Sequence, residues 1–201
     1  FLIHLVVTLI TGILFFQMFT TLSLYYKEAF NFSSIESGLF LALNGVIILL
    51  FELSIVGYVE SKKINKLLVV SYGVLAMALS YLFLLIENSV LALVAMMIFM
   101  TIGIVLTFPF ANSFVKKRSL KKQEGKFMAV FTMSYSVAHI LSTKTGMAII
   151  ADYGYRANWV FLACLGFLGF LLAYRLVFIV KKEKETIKKK IVQSLFAVDS
   201  K

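Results

Sequence analysis

The chain has 201 residues, of which 61% are hydrophobic, and it carries 20 Lys and Arg against 10 Asp and Glu. Only 15% of its residues are charged, whereas soluble globular domains carry about 25%. This composition excludes an ordinary water-soluble domain and predicts an all-α membrane protein. The net charge of +10 is confined to short basic clusters between apolar runs, a pattern that does not favour nucleic-acid binding.

Six apolar stretches are each long enough to cross the roughly 30 Å core of a bilayer, which takes about 20 helical residues. They predict transmembrane helices over residues 2–25, 37–59, 67–86, 90–115, 127–151 and 159–180. The connections are too short for a soluble domain, so residues 1–182 form one transmembrane domain, followed by a basic tail over residues 183–201. The chain enters an apolar run directly at Phe1, without the basic start of a signal peptide. This abrupt start indicates a fragment.

Local signals mark several features of the helices. Ser33 and Ser34, with Glu36 nearby, are typical of a capped helix start. Residues 152–158 contain Asp, Gly and Asn, and they predict the turn between the last two helices. Pro109, the only proline, predicts a kink or local opening in the fourth helix.

The distribution of positive charge predicts the orientation in the membrane. All of the 20 Lys and Arg except Lys27, Lys144 and Arg156 lie on one side of the predicted helices. Because positive residues are retained in the cytoplasm, that side and both chain ends are predicted to be cytoplasmic. The chain is therefore predicted to be a multi-pass protein of the inner (plasma) membrane. Its tail is interpreted either as an amphipathic helix on anionic lipid or as a frayed, solvated end.

Two charged residues lie inside predicted helices, where a central charge costs roughly 2.5 to 3.5 kcal/mol on the insertion scale. Glu52 stands eight residues before Glu60, hence about 12 Å inside the membrane. Desolvation favours the protonated form of such a carboxyl, so Glu52 is a candidate for proton coupling. The alternative is a hydrogen-bonded residue that fixes helix packing. Lys144 has two interpretations. It is a cavity cation that attracts an anionic substrate group or pairs with Glu52, or it is a side chain that snorkels to the surface.

Uncharged polar residues complete the set of candidates. His139 lies near the middle of the fifth helix, and because histidine can change protonation at physiological pH it is the second candidate for proton coupling. Candidates for contacts in a substrate cavity are Gln17, Thr21, Asn44, Asn112 and Lys144. The alternative for the uncharged ones is a hydrogen bond between helices. No residue cluster predicts a metal site or a cofactor, and no catalytic motif predicts an enzyme.

Several short motifs occur in an order that resembles one family. They are Gln17-x-x-Thr20-Thr21, Gly38-Leu39, Ala42-Leu43-Asn44-Gly45, Phe51-Glu52, Gly57-x-x-Glu60-x-Lys62-Lys63, Pro109-Phe110 with Asn112, Glu124-Gly125-Lys126, Gly146-Met147 and Asp152-x-Gly154-Tyr155. In this order the chain resembles the carboxy-terminal six-helix half of a major facilitator superfamily transporter of the bacterial multidrug-efflux-like branch. Ser23 and Ser54 depart from the pattern, since related sequences often carry proline there.

The resemblance implies half of a twelve-helix fold in which two six-helix halves rock about a central site. It implies a secondary active transporter that moves a small molecule by alternating access coupled to protons, with the missing amino-terminal half as its partner. The first, second, fourth and fifth helices would face the cavity or that half, and the third and sixth would be peripheral. The alternative is a transport-inactive six-helix membrane scaffold or sensor, in which polar residues only join helices.

Overall fold

The computed structural model describes residues 1–87, 89–118 and 123–199, of which residues 187, 188 and 190–199 are described by their backbone alone. Six α-helices make up almost all of this part of the chain. They are α1 (Leu2–Gln17), α2 (Thr21–Phe30), α3 (Ser34–Ser61), α4 (Lys66–Phe83), α5 (Val90–Arg118) and α6 (Glu124–Asp199). No strand occurs among the described residues, which agrees with the predicted all-α class.

Five apolar helices, not the predicted six, are long enough to cross a membrane in the described part of the chain. They are Leu2–Phe30, Ser34–Ser61, Lys66–Phe83, Val90–Arg118 and Glu124–Thr186. The difference lies in the last of them, because the fifth and sixth predicted helices follow one another without a loop and are counted as one segment, broken only at Gly154. The place of the predicted turn is confirmed, because the one non-helical residue of α6, Gly154, lies within residues 152–158.

A single residue interrupts α6. Gly154 has φ 81° and ψ 174°, a backbone conformation that is essentially restricted to glycine. It divides α6 into a first arm, residues 124–153, and a second arm, residues 155–199. The apolar segment Glu124–Thr186 contains 63 residues, which at 1.5 Å per residue give a path of roughly 94 Å. This path is about three times the thickness of a bilayer core, so Gly154 lies where a change of direction is needed.

The first predicted helix, residues 2–25, is interrupted because α2 begins a few residues after the end of α1. Between them the N–H groups of Met18 and Phe19 donate to carbonyls three residues earlier, as in a 3₁₀ turn. The Thr20 hydroxyl donates to the Phe16 carbonyl at 3.2 Å, and such side-chain bonds compete with the helical backbone ladder. At the interruption the Phe16 carbonyl therefore accepts from both the hydroxyl and the backbone N–H of Thr20.

Two local predictions concern α3 and α5. The Ser33 hydroxyl accepts from the Glu36 N–H at 3.2 Å, and the Glu36 carboxylate accepts from the Ser33 N–H at 2.7 Å. This reciprocal pair is a capping box, as predicted for the start of α3. In α5 the helix continues through Pro109 without interruption, so the proline does not open it.

The helices are covered by the rest of the chain to very different extents. α4 packs against both α5 and α6, and α1 packs against α6. In the most apolar 18-residue stretch of α4, 56% of the residues are buried. In the corresponding stretch of α3 the share is 6%. The third predicted helix, expected at the periphery of a two-half protein, is therefore well covered in this chain. The second predicted helix, α3, presents a long apolar surface to its surroundings.

α4 and α5 approach each other closely at a pair of glycines. A Cβ atom added to Gly103 would lie 2.8 Å from the carbonyl oxygen of Gly73 and 3.0 Å from the backbone nitrogen of Met77. Side-chain carbons do not approach backbone atoms this closely, so only glycine fits without a shift of a helix. Small residues at such crossings let membrane helices pack with their backbones in near contact.

We expect Gly103→Ala to destabilise the chain, because the new methyl group must push α4 away from α5. Overpacking of this kind lowers the free energy of unfolding by about 1 to 3 kcal/mol. The measurement is thermal unfolding in detergent, followed by helical circular dichroism, and the midpoint should be lower than that of the wild type. The control is Gly45→Ala in α3, where an added Cβ meets nothing within 4 Å. Alanine favours helix over glycine by about 1 kcal/mol, so the control should be as stable as the wild type or more stable. Equal midpoints for the two variants would show that the crossing tolerates a wider separation.

Candidate functional site

Gln17 is the centre of a buried hydrogen-bond network that joins α1 to both arms of α6. Its Nε2 donates to the Ser142 carbonyl at 2.8 Å. Its Oε1 accepts from the Thr21 hydroxyl and, at 3.4 Å, from Asn158 Nδ2. The Ser142 hydroxyl donates to the Ile13 carbonyl at 3.0 Å. Gln17 and Thr21 were predicted to line a cavity, and the structure places both in the interior, with no exposed surface and with protein groups as partners.

Gly146 makes room for this network on the first arm of α6. A Cβ at this position would lie 2.6 Å from Gln17 Oε1 and 2.8 Å from Thr21 Cγ2. Any larger residue would displace the amide from Ser142. The network also has one open position, because Asn158 Oδ1 is buried without a hydrogen-bond partner among the described residues. A buried amide oxygen without a donor is destabilising by about 1 to 3 kcal/mol, and a ligand or a water molecule with a donor would remove that cost.

Asn44 attaches α3 to α5. Its Nδ2 donates to the Thr101 hydroxyl at 2.7 Å and contacts Met97 Sδ at 3.4 Å. The Thr101 hydroxyl in turn donates to the Met97 carbonyl at 2.8 Å. Asn44 is 2% exposed and Thr101 is 3% exposed. This third predicted cavity residue is therefore engaged in a hydrogen bond between helices, on the side of α3 that packs against α5.

Next to Gln17, three helices and the turn that follows α1 contribute a continuous set of aromatic rings, here called the aromatic face. Its members are Phe15, Phe16, Phe19, Phe108, Tyr135 and His139. Phe15 of α1 meets Phe108 of α5 with ring centroids 5.1 Å apart. Phe108 in turn stacks on Tyr135 of the first arm of α6 at 5.4 Å. Phe16 contacts His139 at 4.6 Å, and every member of the aromatic face is at least partly exposed.

The aromatic face has the chemistry of a binding surface for flat organic molecules. Aromatic rings pack on one another in stacked or edge-to-face arrangements, and their faces attract cations within about 6 Å of the ring centre. The Tyr135 hydroxyl is buried without a partner among the residues that the structure describes. A mostly apolar surface with one or two free polar groups is typical of a small-molecule site.

The charged candidates lie away from the buried networks. Glu52 of α3 is half-buried, whereas His139 and Lys144 are exposed on the first arm of α6. The predicted ion pair between Glu52 and Lys144 does not form, since neither side chain has a salt bridge within the described ranges. No three His, Cys, Asp or Glu side chains in those ranges lie together as ligands for a metal ion.

Asn112, the remaining cavity candidate, lies near the end of α5 and is half-buried. Its Oδ1 is buried without a hydrogen-bond partner in the described part of the chain. The neighbouring carbonyl of Ala111 contacts His4 Nε2 at 3.2 Å, and the His4 ring stacks on Phe131 at 5.9 Å. Asn112 is therefore the one uncharged candidate whose side chain still has a free buried oxygen.

Sequence reasoning missed three parts of this site. Asn158 was assigned to a turn, and Thr101 was not distinguished from the apolar residues around it. The aromatic face gave no signal because 15% of the whole chain is aromatic, so any helix contains such rings by composition alone. Only the contacts between α1, α5 and α6 separate these rings from the others.

The long apolar helices and the polar networks buried between them define a multi-pass helical membrane protein. The family described as Major Facilitator Superfamily matches residues 5–198. The chain belongs to this family of transporters, which confirms the resemblance at the level of the family. No curated protein gives a significant match to the chain.

We expect Asn44 and Thr101 to be energetically coupled. The variants Asn44→Ala and Thr101→Val and their combination form a double-mutant cycle, read from unfolding midpoints in detergent. Hydrogen bonds between membrane helices contribute about 0.6 kcal/mol on average and about 1.7 at most, and the coupling should fall in that range. The control cycle pairs Asn44→Ala with Thr132→Val, because Thr132 is exposed on α6 and donates to its own helix. Equal coupling in both cycles would contradict the assigned contact.

Proposed function

We propose that the chain is the carboxy-terminal six-helix half of a secondary active transporter. In this proposal the complete protein exports an aromatic or lipophilic small molecule across the inner (plasma) membrane by alternating access, coupled to proton movement. Membership of the major facilitator superfamily over residues 5–198 carries the proposal. The excess of Lys and Arg on one side supports a cytoplasmic position for both chain ends.

The break in α6 supports six crossings. Each arm of α6 can cross the bilayer separately, because a change of direction at Gly154 needs no loop. With the other four apolar helices this gives six membrane passages, the number in one half of the family fold. The first arm then corresponds to the fifth predicted helix and the second arm to the sixth.

The poor coverage of α3 supports a second half of the protein as its partner. In the most apolar 18-residue stretch of α3 only 6% of the residues are buried. Leu49 is 74% exposed and Leu53 is 80% exposed, on a helix that also carries Glu52. In the proposed assembly an amino-terminal six-helix half covers part of this surface and, together with the aromatic face, encloses the substrate cavity.

Glu52 is the proposed proton-coupling residue, with His139 as the second candidate. Glu52 is half-buried and has no hydrogen bond or salt bridge to any described residue. When the second half covers α3, the loss of water favours the protonated carboxyl. Opening of the cavity restores water and favours release of the proton, which is the alternation that coupling requires.

The aromatic face is the proposed substrate surface, and this assignment gives the substrate class. Rings from three helices offer stacking to an aromatic molecule and attraction to a cationic one. Lys144 and the open amide oxygen of Asn112 are the proposed polar contacts at its edges. Gln17, Thr21 and Asn44 hold the helices that carry the rings, and a conformational change that breaks their hydrogen bonds would bring them into the cavity.

We expect Glu52→Gln to abolish proton-driven transport while leaving passive exchange intact. The complete protein in liposomes, with ethidium as an aromatic cationic probe, is given an imposed pH gradient, and ethidium accumulation is followed by fluorescence. Gln keeps the size of Glu but cannot lose a proton, so gradient-driven accumulation should fall to the level of liposomes without protein. Exchange of ethidium in the absence of a gradient should persist.

The matched control for this experiment is Glu87→Gln, which removes a carboxylate at an exposed position after α4. It should transport as the wild type does. Unchanged coupling in Glu52→Gln would remove Glu52 from the mechanism and leave His139 to be tested in the same way. A complete protein that moves neither ethidium nor other organic molecules under any gradient would favour the scaffold or sensor.

We expect Phe108→Ala to weaken ethidium binding, because Phe108 links the rings of α1 to those of α6. Loss of one aromatic contact corresponds to about 0.5 to 1.5 kcal/mol, or roughly a two- to twelve-fold higher Kd, measured by fluorescence titration. The control is Phe178→Ala, since Phe178 is 52% exposed on the second arm of α6. Equal effects of the two substitutions would argue against the aromatic face as the binding surface.

A further inference from the structure

A separate cavity lies at the basic end of the helices and is not used by the proposed transport mechanism. It has a volume of about 880 Å³, which is within the range of about 300 to 1,000 Å³ typical of ligand sites. Its walls come from the end of α3, the start of α4, the end of α5 and the second arm of α6. We call it the basic pocket.

The charge of the basic pocket is strongly one-sided. Six of its lining residues are cations: Lys63, Lys66, Lys117, Arg118, Lys181 and Lys184. Two of them are paired, Lys66 with Glu60 at 2.6 Å and Arg118 with Glu183 at 2.7 Å. The other four have no salt bridge within the part of the chain that the structure describes. Like charges that face one cavity repel one another, and an anion between them would convert that repulsion into attraction.

The positive-inside distribution explains why lysines are abundant at this end, but not why they converge on one cavity. Lys63 is informative because it has φ 51°, a left-handed conformation at the end of α3 that Gly or Asn adopts more readily. A lysine there is not the residue that the helix end prefers. Its position in the wall of the basic pocket gives a reason for it.

The second arm of α6 supplies a wall that changes from apolar to basic along its length. Val177, Val180, Lys181 and Lys184 follow one another at spacings of three, one and three residues and all line the pocket. At such spacings they share one face of the helix. The valines lie on the side of the membrane-spanning segment, and Leu67 and Phe114 add apolar surface from α4 and α5. The lysines lie one helical turn further out.

We propose that the basic pocket binds an anionic phosphate group, with the headgroup of an anionic phospholipid as its source. The phosphate lies among Lys63, Lys181 and Lys184, and the adjoining acyl chain follows Val177 and Val180 toward the membrane interior. A soluble phosphate would use the cations but not the apolar wall. The pocket requires only that the chain spans a membrane, so it does not depend on transport or on proton coupling.

The test uses the whole chain in non-ionic detergent, titrated with phosphatidylglycerol or with phosphatidylcholine carrying the same acyl chains. Native mass spectrometry counts the bound lipids and gives a Kd for each. We expect one phosphatidylglycerol per chain and a Kd at least about ten-fold lower than that for phosphatidylcholine, since each nearby cation contributes to binding of an anionic lipid. Equal affinity for the two lipids would overturn the proposal.

A matched pair of triple variants tests the position of the site. Lys63→Gln, Lys181→Gln and Lys184→Gln together remove three cations of the pocket, and we expect at least about a ten-fold loss of phosphatidylglycerol affinity. The control is Lys62→Gln, Lys182→Gln and Lys189→Gln, which removes the same charge from exposed residues that do not line the pocket. The control should retain wild-type affinity. Equal losses would show a diffuse attraction to the basic surface and overturn the proposal.

Val180→Trp provides a variant that keeps every charge. It fills the apolar wall of the pocket, so phosphatidylglycerol affinity should fall while the affinity for inorganic phosphate stays unchanged. Helical circular dichroism verifies that each variant is folded, and this variant keeps the test decisive if the charge variant unfolds. A further outcome is that inorganic phosphate binds with the same dependence on the three lysines and displaces the lipid. That result would confirm an anion site but overturn its assignment to a phospholipid.

Discussion

The hydrocarbon core of a bilayer offers no hydrogen bonds, so each polar group inside it must find a partner within the protein. In this chain Gln17 meets that constraint with partners on three segments. Its amide meets a carbonyl on the first arm of α6 and an amide on the second arm, while Thr21 closes the network from α2. Because the two arms meet at Gly154, where the backbone leaves the helical conformation, these bonds link both sides of the break to α1. The packing of α1 against α6 therefore depends on Gln17 and on the absence of a side chain at Gly146.

The polar residues divide into two groups by their environment. The first group, with Gln17 and Asn44, is buried and hydrogen-bonded, and it joins helices. The second group, with Glu52, His139 and Lys144, lies on partly or fully exposed surfaces of α3 and the first arm of α6. Charged groups on uncovered helices are costly in a membrane. A second half that encloses them in a water-filled cavity would make them useful, and this difference in environment is the physical basis of the transporter hypothesis.

The sequence predicted those features that local chemistry determines. The capping box at Ser33 follows from residue types three positions apart, and the long apolar runs follow from the thickness of a bilayer. The composition of residues 152–158 also predicted where α6 breaks, but the partners of Gln17 could not be predicted in the same way. Asn158 stands in a segment with the composition of a turn, and its role depends on a contact with a residue 141 positions away. Nor could the depth of Glu52 and Lys144 show whether they meet, because depth along a helix says nothing about lateral distance.

α5 connects the two surfaces to which binding is assigned. Phe108 belongs to the aromatic face, and Lys117, nine residues later, lines the basic pocket, about 13.5 Å further along the helix. The two surfaces are therefore separated along the axis of α5. A movement of α5, which the glycine crossing holds against α4, would act on both surfaces. Pro109 lies between the two surfaces and cannot donate a backbone hydrogen bond, so the segment around it is where α5 can bend with the least loss of backbone bonding.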